Sequence, residues 1–353
     1  MHLGLVGLLR FYYVRAELRT AHELGEQILS LAQSVQDPLL LMRAHQVLAD
    51  TLCFLGELSQ AQKHLEQSFA LYDPQQSHSH RFFDIDPIVG SLIFASWFLW
   101  LLGYPDQALK SSHEALTRAH EMSHPFSLAF ALSFAAVLHQ FRREVQLTQE
   151  RADATITTSA ERGFALLLAW GTYMRGWALA EEGQRDEGIA QIQQGIAAYR
   201  ATGAAIGRPY QLALLIEAYG KGGQAEEGLS LLAEALATMD DTDERWWEAE
   251  LCRLKGQLTL QQSGVPSIQH PTPNPQAEAE AEACFLKAIE IAQQQQAKSL
   301  ELRATMSLAR LWQQQGKQKD AHHMLAEIYG WFTEGFDTKD LQEAKALLEE
   351  LNH

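Results

Sequence analysis

His113, His120 and His124 are the residues whose types and spacing most suggest chemistry. Steps of seven and four put three imidazoles on one face near a helix end, and histidines four apart can hold zinc or nickel. No cysteine or carboxylate stands nearby at matched spacing, so an exposed helix face is the better reading. The pairs His78 with His80 and His322 with His323 read the same way. Cys53, Cys252 and Cys284 lie far apart, form no C-x-x-C pair and sit in apolar helix-like patterns, which marks them as reduced core thiols. The sequence contains no HExxH, GxSxG or GxGxxG motif and pairs no cysteine with a histidine as a nucleophile. The string YGKGGQ at 219–224 lacks the GxxxxGK[ST] frame, and it ends a helix where a phosphate loop must begin one. No catalytic residue, metal site or cofactor is expected, and the chain is read as a binding protein, not an enzyme.

Composition narrows what it binds. Against 28 basic residues stand 44 acidic ones, and the net charge of −16 in 353 residues repels nucleic-acid phosphate and anionic lipid. Nucleic acid and membrane are therefore not expected as partners. The most apolar run, Leu92 to Leu102, is about half the ~20 residues that a membrane span requires, so it reads as a buried helix. The opening MHLGLVGLLRFYY has no basic segment and no cleavage site of small residues. A cytoplasmic location is expected.

The elements that must carry any binding surface are set by a repeat. A helical apolar run, a glycine turn, and a small residue five positions later recur in FLGELSQAQKHL (Gly56, Ala61), LLGYPDQALKSS (Gly103, Ala108) and AEEGQRDEGIAQI (Gly183, Gly188). KGGQAEEGLSLL (Gly223, Gly228) and QQQGKQKDAHHML (Gly316, Ala321) repeat it, with weaker copies at Ala21, Ala152 and Ala281. Successive anchors lie 40, 47, 44, 36, 40, 53 and 40 residues apart. Two antiparallel helices joined by a tight turn need a left-handed residue at the end of the first and a small one where they touch. The pattern therefore predicts about eight helical hairpins. Pro38, Pro74, Pro87, Pro125 and Pro209 fall between hairpins and Pro105 falls in a turn. A lone hairpin cannot bury both its faces, so the units are expected to stack into one continuous array over residues 1–353. The proline-rich stretch 263–276 reads as a long loop inside the seventh unit, between helices near 245–262 and 277–296. Residues 338–353, with Leu341, Ala344, Leu347, Leu348 and Leu351 on one face, read as a capping helix. The amino end begins a helix at once through Leu3, Leu5, Leu8, Leu9 and Tyr12. It reads as a cut edge, which suggests the carboxyl-terminal portion of a longer protein.

These hairpins resemble the tetratricopeptide repeat family, whose unit carries a small residue within its first helix and an alanine opening its second, at a period of about 34 residues. The longer spacing here implies longer helices or loops. The resemblance implies an all-α superhelical solenoid in which the first helix of each unit lines an inner groove. Setting the register by the glycine turns puts on that stripe Trp97 and Trp100 in the third unit, Trp170, Tyr173 and Trp177 in the fifth, and Tyr210 with Glu217 in the sixth. Trp247 opens the seventh, and Arg303 and Arg310 belong to the last. Aromatic rings with arginines at one end suit an extended peptide or a docking helix. The same aromatics at helical spacing are also what a plain core would show.

More specific phrases are LLGYPDQAL, HPFSLAFALSFAAVLHQFRRE, RGWALAEEGQRDEGIAQI, ERWWEAELCRLKGQL and YGWFTEGFDTKDLQEAKALLEEL. They resemble the carboxyl-terminal repeat region of bacterial multidomain signalling proteins that join a nucleotidyl cyclase or kinase domain to an AAA-type or NACHT-like ATPase. Neither of those domains lies in this chain, so cyclase activity does not transfer to it. The resemblance implies a non-enzymatic interaction and regulatory module whose partner is a protein or peptide, such as an ATPase or nucleotidyl cyclase domain. The alternative is a sensor that binds a peptide or small molecule inside the superhelix.

Overall fold

The computed structural model describes residues 2–72, 85–263 and 274–352, with side chains from residue 4 onward. Among the described residues every regular element is an α-helix, and sixteen of the seventeen helices form eight antiparallel hairpins. The hairpins are α1 (His2–Val14) with α2 (Leu18–Val35), α3 (Pro38–Phe54) with α4 (Leu58–Ala70), and α5 (Pro87–Leu101) with α6 (Pro105–Glu121). Next come α7 (Pro125–Phe141) with α8 (Val145–Arg162), α9 (Ala165–Glu181) with α10 (Arg185–Ala201), and α11 (Arg208–Lys221) with α12 (Ala225–Thr242). The last are α13 (Glu248–Ser263) with α14 (Pro275–Gln295) and α15 (Lys298–Gln314) with α16 (Gln318–Trp331), before a single helix α17 (Lys339–Leu351). Residues 264–273, most of the proline-rich stretch, lie outside the described residues, as do His78 and His80.

Local chemistry explains the helix starts and stops. Asp37 and Asp86 each accept hydrogen bonds from two amides of the following helix, and Pro38 and Pro87 then occupy the first helical position, where no amide donor is needed. Asn274 and Pro275 repeat the device at α14. Each described turn inside a hairpin closes the same way. The Gly56 amide donates to Cys53 O and the Glu57 amide to Leu52 O, both at 2.9 Å, with Gly56 at φ +83°. Gly103, Gly183, Gly223 and Gly316 hold the equivalent left-handed position, and Ala16 and Arg143 hold it in the first and fourth hairpins.

The small anchor residues sit where the two helices of a hairpin touch: Ala21, Ala61, Ala108, Ala152, Ala281 and Ala321 have no exposed surface. Contact is tightest between α9 and α10. A Cβ at Gly176 would stand 2.6 Å from the Ile192 amide nitrogen, and one at Gly188 would stand 2.6 Å from that of Ala180. Helix α5, which holds the most apolar run of the sequence, is buried on nearly its whole circumference. Among the described residues no helix is long and apolar enough to cross a membrane.

The array winds tightly enough to meet itself. The Ala205 and Ile206 amides, ahead of the sixth hairpin, donate to Val14 O in the turn of the first, at 2.8 and 3.1 Å. One unit further on, the Arg245 amide donates to Phe54 O at 2.8 Å. Ser299 Oγ in α15 reaches Trp100 O at 2.5 Å, and the carboxylate of Glu334 accepts from the amides of Asp106 and Gln107. The first three contacts join units five apart, so about five hairpins complete one turn of the superhelix.

Candidate functional site

Closure at this pitch brings the first helices of opposite units together across the superhelix axis. Trp97 stacks on Phe134 with ring centroids 4.1 Å apart and lies parallel to Trp246 at 5.8 Å. Trp100 stacks on Phe141 at 4.7 Å and faces Trp247 at 6.3 Å. Tyr210 meets both Trp246 and Trp247, and Tyr173 lies against Trp170. Three of the rings meet their polar partners internally: Trp97 Nε1 donates to Phe134 O, the Tyr210 hydroxyl donates to Gln140 Oε1, and Trp177 Nε1 donates to Glu217, while Trp170 Nε1 is buried without one. Trp97, Trp100, Tyr173, Trp177, Tyr210 and Trp247 each keep 2% of their surface exposed, and Trp170 is half-buried.

These aromatics therefore form the packed centre of the molecule and not the lining of an open groove, which corrects the expectation from sequence. The physical reason is the pitch. With five units per turn the inner stripes face one another at ring-contact distance, so these rings pack on one another. The remaining predicted residues gather at one end of the axis. Arg303 Nε donates to Asp340 at 2.7 Å, its Nη2 donates to Phe141 O, and its guanidinium covers the Trp100 ring at 4.8 Å. Arg310 pairs with Glu343, and Arg143 bridges Asp340 and Glu343 at 3.2 and 3.0 Å. Glu217 accepts from Lys221 at 2.9 Å, and Lys221 also binds Glu181. Arg253 and Glu250 complete the cluster as a buried pair.

This charged mouth encloses about 160 Å³. Burial works against ionisation of Glu217 and Asp340, but Lys221 in one case and Arg303 with Arg143 in the other hold both carboxyls below their ordinary values. Sequence reasoning reached Glu217, Arg303 and Arg310 through the repeat register. It missed Arg143, Asp340 and Glu343, which come from a turn and from α17, where the register carries no information.

A second opening lies near the amino end, a cavity of about 590 Å³ between α1, α3, α5, α7 and the start of α9. Its walls are mainly apolar, including Leu9, Val47, Phe94, Phe126, Phe130 and Leu166. Two polar side chains of α3, Gln46 and Asp50, line it while being 2% and 9% exposed. Gln46 Oε1 and Asp50 Oδ1 have no hydrogen-bond partner. Burial pushes the Asp50 carboxyl well above the ordinary carboxylate range, and Arg10 draws it only partly back. The sequence signal that could have found this pair is a glutamine and an aspartate four apart, on one face of a helix whose other residues are mostly apolar.

The three histidines singled out from spacing do not share a face. Helix α6 ends at Glu121, Ser123 turns the chain at φ +52°, and His124 caps α7, its Nδ1 accepting from the Ser127 amide. Pro125 forces that break, and His113 and His120 remain on the exposed side of α6. Among the described residues no group of three histidine, cysteine or carboxylate side chains is placed to hold a metal ion.

No family model matches the chain. An uncharacterized protein of Rhizobium meliloti (strain 1021) is 24% identical over 301 residues, which make up 84% of this chain and 28% of that protein. The chain thus spans about 28% of the length of this curated relative. In three dimensions the chain is similar to a Rap protein complexed with Competence and Sporulation Factor, with a TM-score of 0.61, 9% identity, and coverage of 99% of this chain and 97% of the other. It is also similar to aspartyl phosphate phosphatase F from Bacillus subtilis, with a TM-score of 0.50, 11% identity, and coverage of 86% and 74%. At identities this low the likeness is one of fold, and the chain has the fold of the tetratricopeptide-like helical-repeat proteins.

Proposed function

We propose that this chain is the non-enzymatic recognition and regulatory module of a longer cytoplasmic signalling protein. In this reading residues 1–353 act as one continuous solenoid, with 263–276 a loop inside the seventh repeat and 338–353 its cap. The observation that carries the reading is the closed axis. With the aromatic centre occupied by its own rings, recognition falls to the ends, and the charged mouth offers Arg310, Lys221 and Glu343 with side chains 44%, 39% and 31% exposed. Interleaved charges of both signs on rigid helices suit a folded protein surface better than a disordered strand. The partial coverage of the Rhizobium meliloti relative supports a place beside other domains. The phrase-level resemblance supports an ATPase or nucleotidyl cyclase domain as the partner.

The test is co-purification of the chain with an isolated ATPase-type or nucleotidyl cyclase domain of the kind the resemblance names. Arg310→Ala and Glu343→Lys should weaken the complex at least tenfold while the helical circular dichroism is unchanged. Unchanged affinity in both variants would remove the mouth from the interface. Sensing of a small molecule inside the superhelix is the second reading, and the amino-terminal cavity favours it. The Rap protein of similar fold was crystallised with a bound factor. Under this reading a metabolite pool raises the melting temperature of the chain.

A further inference from the structure

The amino-terminal cavity has the dimensions of a small-molecule site and a chemical asymmetry that a mere packing defect lacks. Its ~590 Å³ falls within the ~300–1,000 Å³ usual for such sites. Rings and aliphatic chains around a space of this size offer dispersion contacts to an apolar molecule that enters it. Its two unpartnered buried oxygens both come from one helix, and Arg10 and Arg15 add charge from the α1 side. Gln46 and Asp50 stand four residues apart, so their side chains are neighbours on one face of α3. Each leaves an oxygen unpartnered in a nine-tenths buried position. A buried acceptor without a donor costs about 1–3 kcal/mol.

Gly90 helps to hold the arrangement. A Cβ there would stand 2.3 Å from Gln46 Nε2, so the glycine of α5 leaves room for the Gln46 amide.

Resting on the sensor reading above, we propose that the cavity between α1, α3, α5 and α7 binds an uncharged, mainly apolar small molecule whose polar end donates hydrogen bonds to Gln46 Oε1 and Asp50 Oδ1. The charge state follows from the walls. A charged end of either sign would have to leave water for walls that are mainly apolar, and a cation would also meet Arg10 and Arg15 on them. An amide or alcohol on an aliphatic or aromatic body satisfies both oxygens and fills the apolar remainder.

The probe is octanamide, titrated into the full chain by calorimetry, with N,N-dimethyloctanamide as the same body without donors and octylammonium as the charged counterpart. Three variants accompany it. Gln46→Leu removes one acceptor. Gly7→Phe places a ring in the cavity wall from an exposed glycine whose Cβ would meet nothing within 4 Å. Gly4→Phe is its control on the same helix, away from the cavity.

Octanamide should bind at least tenfold more tightly than either counterpart. Gln46→Leu should abolish its advantage over the dimethyl amide, and Gly7→Phe, but not Gly4→Phe, should weaken it at least tenfold. Equal binding of the two amides, lost in Gly7→Phe, would overturn the donor preference and leave the sensor reading standing. Absence of binding by every probe overturns the proposal. If a metabolite pool then stabilises wild type and Gly7→Phe equally, sensing lies elsewhere, and if it stabilises neither, the sensor reading falls as well.

Discussion

Glu244 shows at a single residue how the closed axis shapes chemistry. Its side chain has no exposed surface, accepts from Trp246 Nε1 and from the Gly207 amide at 3.0 Å each, and is pushed by burial up to a pKa of about 8. Unfolded, the same group titrates near its ordinary value of about 4.3. Between these values the folded chain holds a proton that the unfolded chain has released, so stability declines as pH rises through that window, by on the order of 1 kcal/mol per pH unit. Thermal melts from pH 5 to pH 8 should show the melting temperature falling, and Glu244→Gln should flatten the slope. A slope of the same size in the variant would assign it to other groups.

Backbone strain gives a second prediction at this scale. Gln36 ends α2 at φ +51° with its side chain in solvent. Gln36→Gly should therefore stabilise the chain by about 0.5–1 kcal/mol in denaturant titration, since left-handed backbone costs an ordinary residue about 1–2 kcal/mol. Residue types at glycine turns were legible in the sequence because only one residue type fits them freely. Ala16 and Arg143 hide equivalent turns because hydrogen bonds within the turn override that preference.

Among the elements, α17 depends most on a few charges. It lays Leu341, Ala344, Leu347 and Leu351 on α15 and α16, and it sends Asp340 between Arg303 and Arg143. Removing one partner of a buried pair leaves a charge uncompensated and costs about 3–5 kcal/mol. Asp340→Ala should thus open α17 first, seen as early protease cleavage within residues 332–352 while the rest of the chain stays resistant. Because the fold holds the Asp340 carboxyl below its ordinary value, this contribution is complete above about pH 4 and is lost as pH falls below it. Uniform resistance in the variant would show that the apolar face alone holds the helix.

The helix itself was plain in the sequence as a leucine stripe with charges opposite. Its acidic contact with a turn nearly two hundred residues away was not, because periodicity records which face is apolar and not which distant residue meets the other face. The same limit explains the histidines: spacing alone placed three on one face, and Pro125 divided them between two helices.

For the molecule as a whole, the hairpin count and all-helical class follow from a repeating phrase that every unit carries. The pitch does not. It depends on a small rotation between neighbours that accumulates over five units and is written in no single one of them. Trp97, Trp100, Tyr173, Trp177, Tyr210 and Trp247 were therefore identifiable as the inner stripe, while their burial had to come from the closed turn. A wider pitch would have exposed the same rings as a peptide groove. The closed turn leaves the charged mouth at one end and the amino-terminal cavity at the other as the places where binding could act on the array.

The closure can be measured by a cross-link. Ser59 Oγ donates to Gln296 Oε1 at 2.5 Å across 237 residues of sequence, which joins the start of α4 in the second hairpin to the segment ahead of the eighth. A Ser59→Cys, Gln296→Cys double variant treated with a short bis-maleimide should give a monomer that is linked internally, runs faster on a denaturing gel and yields a 59-to-296 linked peptide in its digest. Neither single variant should do so. A double variant that stays unlinked, or links only between molecules, would mean that the superhelix is open in solution and that its aromatic stripe faces a groove after all.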